Sequence, residues 1–274
     1  MNKRLIGWLV FIVATAGIIG AAYYWQKTRP QEAQKSAVVR LSVPRAKPAP
    51  QIRHPIGAAE IKGGASNAAQ APLPPLRASD TTLRNALTAL FSAKNVEKFF
   101  YLKHIAYRLV ATVDNLGRRR GSQRLMPLVA PPGRFLTTRQ GKTIFIDPNN
   151  YRRYTPYVRL ITSVSAKRLV AAYVHFYPLF QQAYADLGYP KGYFNDRLIE
   201  VIDNLLATPD VRGPIKLIRP NVLYQFANPA LEQLTVGQKI LIRMGNGNAA
   251  KVKAWLREIR RLLTRDADRV HAHK

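Results

Sequence analysis

"GYFNDRLIEVIDNLL", Gly192 to Leu206, reads as one amphipathic helix. At about 100° per residue, Asp196, Glu200 and Asp203 fall within about 60° of one another. Leu198, Ile199, Val201, Ile202, Leu205 and Leu206 gather on roughly the opposite side. That period predicts a helix with its apolar stripe on a core and its acids pointing away. The acidic stripe also raises a functional question, because the chain has 15 Asp and Glu against 43 Lys and Arg. Three readings fit it: a partner for basic side chains, a plain solvated face, or a site in which Asp196, Glu200 and Asp203 act as catalytic acid and base or hold a metal.

Outward from this helix the same period recurs, so the expected fold is mainly α. In "SDTTLRNALTALFS", Asp80 is the expected N-cap of a helix carrying Leu83, Leu87, Leu90 and Phe91 on one face. "YLKHIAYRLVATVDNLG" continues helically to a stop at Gly117, and Asp147-Pro148 opens another helix. Ser165 is the expected cap of the long run "AKRLVAAYVHFYPLFQQAYADLG", and Asn248 that of the last helix, on which Val252, Trp255, Leu256, Ile259, Leu262 and Leu263 share a face. "FLTTRQGKTIFI" reads as a hairpin turning at Gly141, and "IKLIRPNVLYQF" as a second one. Residues 77–264 thus form one helical domain with one or two short β-hairpins, and 265–274 a frayed tail.

The other end of the chain differs. Leu5 to Trp25 is free of charged residues and long enough to span about 30 Å of hydrocarbon, with Trp8 near one end and Tyr23, Tyr24 and Trp25 at the other. Residues 1–25 are therefore read as a short cytoplasmic tip and a single transmembrane helix; the run exceeds a signal-peptide core. Residues 26–76 hold eight of the 19 prolines and much Ala, Gly and Ser. Such a composition cannot bury a core, and predicts an extended or disordered basic linker. Lys3 and Arg4 precede the span while Lys27, Arg29 and Lys35 follow it, so the positive-inside rule divides over orientation.

Net charge is +28, with 30 Lys and Arg against 11 Asp and Glu in residues 77–264. A field of that sign attracts anions: nucleic acid, acidic lipid or anionic cell-wall polymer. Cysteine is absent, which excludes disulfides, thiolate zinc sites and a cysteine nucleophile. No phosphate-loop, dinucleotide, nucleophile-elbow or zinc-protease spacing occurs, and "MGNGNAAK" is explained by a helix stop at Gly245 followed by a cap. No histidine stands in register with the acidic stripe, and no cofactor or metal site is expected. Arg118, Arg119 and Arg120 are the anion-binding or ion-pairing candidates. An arginine triplet grips phosphate or polymer well, and cations just past a helix end also meet its free carbonyls. At least one of the three is expected to pair with Asp196, Glu200 or Asp203.

"VDNLGRRR", "DPNNYRRYTPYV", "YPLFQQAYADLGYPKGYFNDRLIEVIDNLLATP" and "IRPNVLYQFANPALEQLTVGQKILIRMG" resemble a family of uncharacterised proteobacterial membrane-anchored proteins, a domain of unknown function, over about residues 77–264. The resemblance implies one N-terminal span, a proline-rich linker and a C-terminal domain, and it carries no site residues. The expectation is a bacterial inner-membrane protein with a periplasmic binding or scaffolding domain, its partner an envelope protein or anionic cell-wall polymer. Two alternatives stand beside it. One is a glycan-acting enzyme using the three carboxylates; the other is a cytoplasmic-facing binder of nucleic acid or anionic lipid.

Overall fold

The acidic stretch is a helix from Phe194 to Leu206, set within a mainly helical fold. The computed structural model describes residues 51–56, 72–121 and 125–271, with side chains to Thr264. The expected span at Leu5 to Trp25 lies outside the described residues, as does most of the expected linker. Among the described residues no helix is long and apolar enough to cross a membrane.

A 3-10 turn (Leu76–Ala78) leads into α1 (Asp80–Phe91), α2 (Ala93–Phe99) and α3 (Ile105–Leu116). A hairpin of β1 (Thr137–Gln140) and β2 (Thr143–Ile146) precedes α4 (Asn149–Thr162), α5 (Ala166–Asp186) and α6 (Phe194–Leu206). β3 (Lys216–Ile218), β4 (Gln225–Phe226), α7 (Pro229–Glu232), α8 (Val236–Arg243) and α9 (Asn246–His271) complete the order. Gly141 turns the first hairpin with φ +58°, as its sequence predicts. Both hairpins join one antiparallel sheet in the order β1-β2-β3-β4, through the pairs Ile144↔Leu217 and Leu217↔Phe226. Ile146, Leu217 and Phe226 are buried with Ile242 of α8, while Thr138, Arg139 and Lys216 are exposed. β3 alternates, with Leu217 buried between exposed Lys216 and Ile218, whereas β1 is the edge strand and is largely exposed.

Caps set several helix boundaries. Ser165 Oγ accepts the Arg168 N–H at 3.4 Å, as expected, and Thr235 with Gln238 forms a reciprocal box at the start of α8. Two caps differ from the reading by sequence. Asp80 does not cap its own helix; its carboxylate takes the N–H groups of His104 (2.7 Å) and Ile105 (2.8 Å), and so caps α3. His104, at φ +54°, has no side-chain cap bond of its own to offer there. Asn248 lies inside α9, where its amide donates to the carbonyls of Tyr151 (2.8 Å) and Met244 (3.0 Å). The helix also runs on to His271 instead of ending near Thr264. Neither Gly nor Pro interrupts residues 265–271, so nothing local stops it.

α5 lies at the centre of the packing. Phe176, Leu179, Phe180 and Ala183 are buried with Ile105 and Val110 of α3 and Phe194 of α6. Nearer its N-terminus, Ala166 joins Ile199, Ile202 and Leu205 of α6, Leu241 of α8, and Val252, Leu256, Ile259 and Leu263 of α9. Those α6 and α9 residues are the stripes expected from periodicity. α3 does end just before Gly117, but glycine serves there for proximity. A Cβ at this position would stand 2.9 Å from Val201 Cγ2 and 3.0 Å from Arg197 Nη2, so α3 could not meet α6 as closely with any other residue.

Candidate functional site

α6 begins on a platform built by α5. Gln181 Oε1 accepts the Phe194 N–H at 2.9 Å and the Tyr177 hydroxyl at 2.9 Å, while its Nε2 donates to the Gly192 carbonyl at 2.8 Å. Asn195, fully buried, accepts the Tyr173 hydroxyl on Oδ1 at 3.1 Å. Burial holds the Tyr173 hydroxyl well above the ordinary tyrosine range, with Tyr193 and Asp196 adding to the effect. The first turn of α6 is thereby fixed from beneath.

Its outer side holds a second piece of chain. Asp196 accepts two successive backbone N–H groups, Arg53 at 3.0 Å and His54 at 2.7 Å. Asn195 Nδ2 donates to the His54 carbonyl at 2.8 Å, and the Tyr193 hydroxyl accepts the Ile56 N–H at 2.8 Å. Ile56 packs against the cluster of α3 and α5. Residues 51–56, which composition assigns to the linker, are thus a bound segment that bends at Arg53 and His54 so that both N–H groups meet one carboxylate. One mismatch stands out: His54 Nδ1 is buried without a hydrogen-bond partner among the described residues.

The other two stripe acids are paired. Glu200 accepts Arg197 Nη1 at 2.9 Å, and Asp203 takes both Nε and Nη2 of Arg260 from α9. Arg197 also reaches the Asp114 carboxylate at 3.1 Å and the Asp114 carbonyl at 3.0 Å. Asp114, near the end of α3, is buried and receives in addition Arg118 Nη2 at 2.5 Å and the Tyr189 hydroxyl at 3.3 Å. The Asp114 carboxylate raises the pKa of Arg118 still further by accepting its hydrogen bond.

The sequence-predicted residues therefore separate. Glu200 and Asp203 draw arginines from their own helix and from α9, Asp196 takes backbone N–H groups, and Arg118 goes to Asp114. Arg119 and Arg120 are exposed with no carboxylate partner among the described residues. The triplet's backbone is also used, since the Arg118 carbonyl accepts the Val236 N–H at 2.7 Å at the start of α8. Asp114, Arg197, Arg260 and the 51–56 segment were not singled out by sequence; their only local signal is an acid four residues before Arg118.

"MGNGNAAK" borders an open cleft of about 510 Å³ together with Tyr151 and Arg152. Gly245 there has φ +80°. Asn246 donates to the Val211 carbonyl at 2.9 Å, so its side chain, like that of Asn248, is engaged with backbone. Among the described residues no group of three His, Asp or Glu could hold a metal ion.

The family profile described as "Protein of unknown function (DUF3014)" matches residues 105–260, more than half of the chain. No curated protein and no solved structure matches it. The matched region runs from the first residue of α3 into α9 and contains Asp114, the whole of α6 and Arg260. The chain belongs to the DUF3014 family of proteins of unknown function.

Proposed function

We propose that the protein is a membrane-tethered binding or scaffolding module of the bacterial envelope, whose α6 face receives short peptide segments. The observation that carries this reading is the seating of residues 51–56. Three N–H groups and one carbonyl of the segment are matched by Asp196, Asn195 and Tyr193. Main-chain hydrogen bonds together with one apolar anchor, Ile56, are a recurring way for folded domains to hold peptides. The unmatched His54 Nδ1 means this seat is imperfect, and a better-matched segment of a partner can displace it. Leu5 to Trp25 is the anchor in this reading, the domain lies in the periplasm, and the basic surface with Arg119 and Arg120 favours an acidic partner: an envelope protein or anionic cell-wall polymer.

The test uses the full-length chain with residues 51–56 replaced by alternating Gly and Ser. A fluorescent peptide of sequence PAPQIRHPIG is expected to bind this variant, and to bind at least about tenfold more weakly once Asp196→Ala is added, since two backbone donors then lose their acceptor. Mild crosslinking in cells is expected to recover more envelope protein with the replaced segment than with the native one. Absence of peptide binding in the replaced variant ends the reading. Separate fusions of alkaline phosphatase and green fluorescent protein after Lys274 test the compartment. Active phosphatase with a dark fluorescent fusion is expected; the reverse pattern turns the basic domain to nucleic acid or inner-leaflet lipid.

A further inference from the structure

A cavity of about 360 Å³ lies between α1, α3, α4, α5, α6 and α9. Its wall is aliphatic and aromatic, with Leu83, Leu109, Leu169, Phe180, Ile202 and Leu256 from five of those helices, and each of its lining residues is buried or half-buried. The two polar groups its side chains carry are engaged elsewhere: the Tyr173 hydroxyl donates to Asn195 and the Trp255 indole N–H to the Val164 carbonyl. Water finds no partners in such a space.

Its shape narrows the ligand. The wall runs from Leu169 to Phe180 along α5 and from Phe194 to Leu205 along α6, about 16 Å at the helical rise. A single acyl chain laid along that wall meets apolar side chains over its whole length. At a water-like volume of about 30 Å³ per methylene, the space takes about a dozen carbons. We propose that this cavity binds one unbranched fatty acyl chain, free or carried by a phospholipid, burying about a dozen of its carbons.

The test is photo-crosslinking in cells that make the full-length chain. The cells are fed a long-chain fatty acid carrying a diazirine near its tip, irradiated, and the protein's adducts are mapped by mass spectrometry. Adducts are expected on the wall peptides of α5 and α6, and their mass distinguishes a free fatty acid from a phospholipid. Ala172→Phe and Ala86→Phe each project a ring into the cavity, and either is expected to lower wall adducts by about tenfold or more while adducts elsewhere persist. Protease resistance of each variant confirms that it is folded, and two variants are made so that the loss of one is not decisive. Native protein labelled only outside the wall peptides overturns the proposal, as does undiminished wall labelling in a folded filled variant.

Discussion

Replacing Arg197 with methionine removes three bonds: to the Asp114 carboxylate at 3.1 Å, the Asp114 carbonyl at 3.0 Å and Glu200 at 2.9 Å. The Glu200 contact counts for little, because that carboxylate is 57% exposed and water replaces the guanidinium. Asp114 is different. Its side chain is 7% exposed and that of Arg197 16%, so the carboxylate is stranded away from solvent. Breaking a buried pair costs about 3–5 kcal/mol. Arg118 and Tyr189 remain on Asp114 Oδ2, which places the expected loss at the low end, about 3 kcal/mol. For a domain of this size that is roughly 6–12 °C in Tm. Urea unfolding followed by circular dichroism measures it, with an unchanged m-value showing that both end states are the same. The double variant Asp114→Leu/Arg197→Met removes both charges and is expected to recover at least about 1 kcal/mol relative to Arg197→Met alone. A loss under about 1 kcal/mol for the single variant, or no recovery in the double, refutes the assignment of Asp114 and Arg197 as a buried pair.

Asp80→Ala deprives the N–H groups of His104 and Ile105, at the start of α3, of their acceptor and is expected to cost about 1–2 kcal/mol in urea unfolding; a loss below about 0.5 kcal/mol is inconsistent with that cap. At Gly245→Ala the new Cβ meets the Tyr151 ring at 2.7 Å in a φ +80° backbone, for a loss of about 3 kcal/mol; a loss below about 1 kcal/mol is inconsistent with that packing. Burial pushes the hydroxyls of Tyr173 and Tyr177 above the ordinary tyrosine range. The folded protein then keeps protons that the unfolded chain loses, so this stability is complete below about pH 10 and declines as pH rises further, by up to about 1.4 kcal/mol per pH unit per tyrosine. Tyr177→Phe is expected to flatten the decline between about pH 9 and 11, and an identical slope in both proteins refutes it.

Much of the helical fold was legible because helix signals are local. The stripe of Ile199, Ile202 and Leu205, the face of Val252, Leu256, Ile259 and Leu263, and the turn at Gly141 all follow from periodicities within a few residues. What was not legible depends on partners brought from afar. Asp80 serves residues 24 and 25 positions ahead, Arg260 meets Asp203 across 57 residues, and β3 joins β2 only after three helices intervene. The docked segment was harder still. Asp196 reads N–H groups that nearly every residue possesses, so its partners at Arg53 and His54 leave no trace in composition. Proline-rich sequence excludes helix and sheet ladders, yet it leaves backbone groups free to be held by side chains.

The segment at residues 51–56 reaches its seat from within the same chain, with fifteen residues, 57–71, between it and the next described residue. Ring closure over such a distance corresponds to a local concentration on the order of millimolar. A contact whose intrinsic dissociation constant is itself only about millimolar then stays closed about half the time, and a tenfold stronger one about nine-tenths of it. A competing ligand has its apparent affinity lowered by the inverse of the open fraction, about twofold in the first case and about elevenfold in the second. A single peptide-bond cleavage anywhere in residues 57–71 abolishes the advantage without altering one atom of the seat. If the α6 face receives a partner's segment as proposed, its latency resides in covalent connectivity, and a protease that never touches α6 sets its availability.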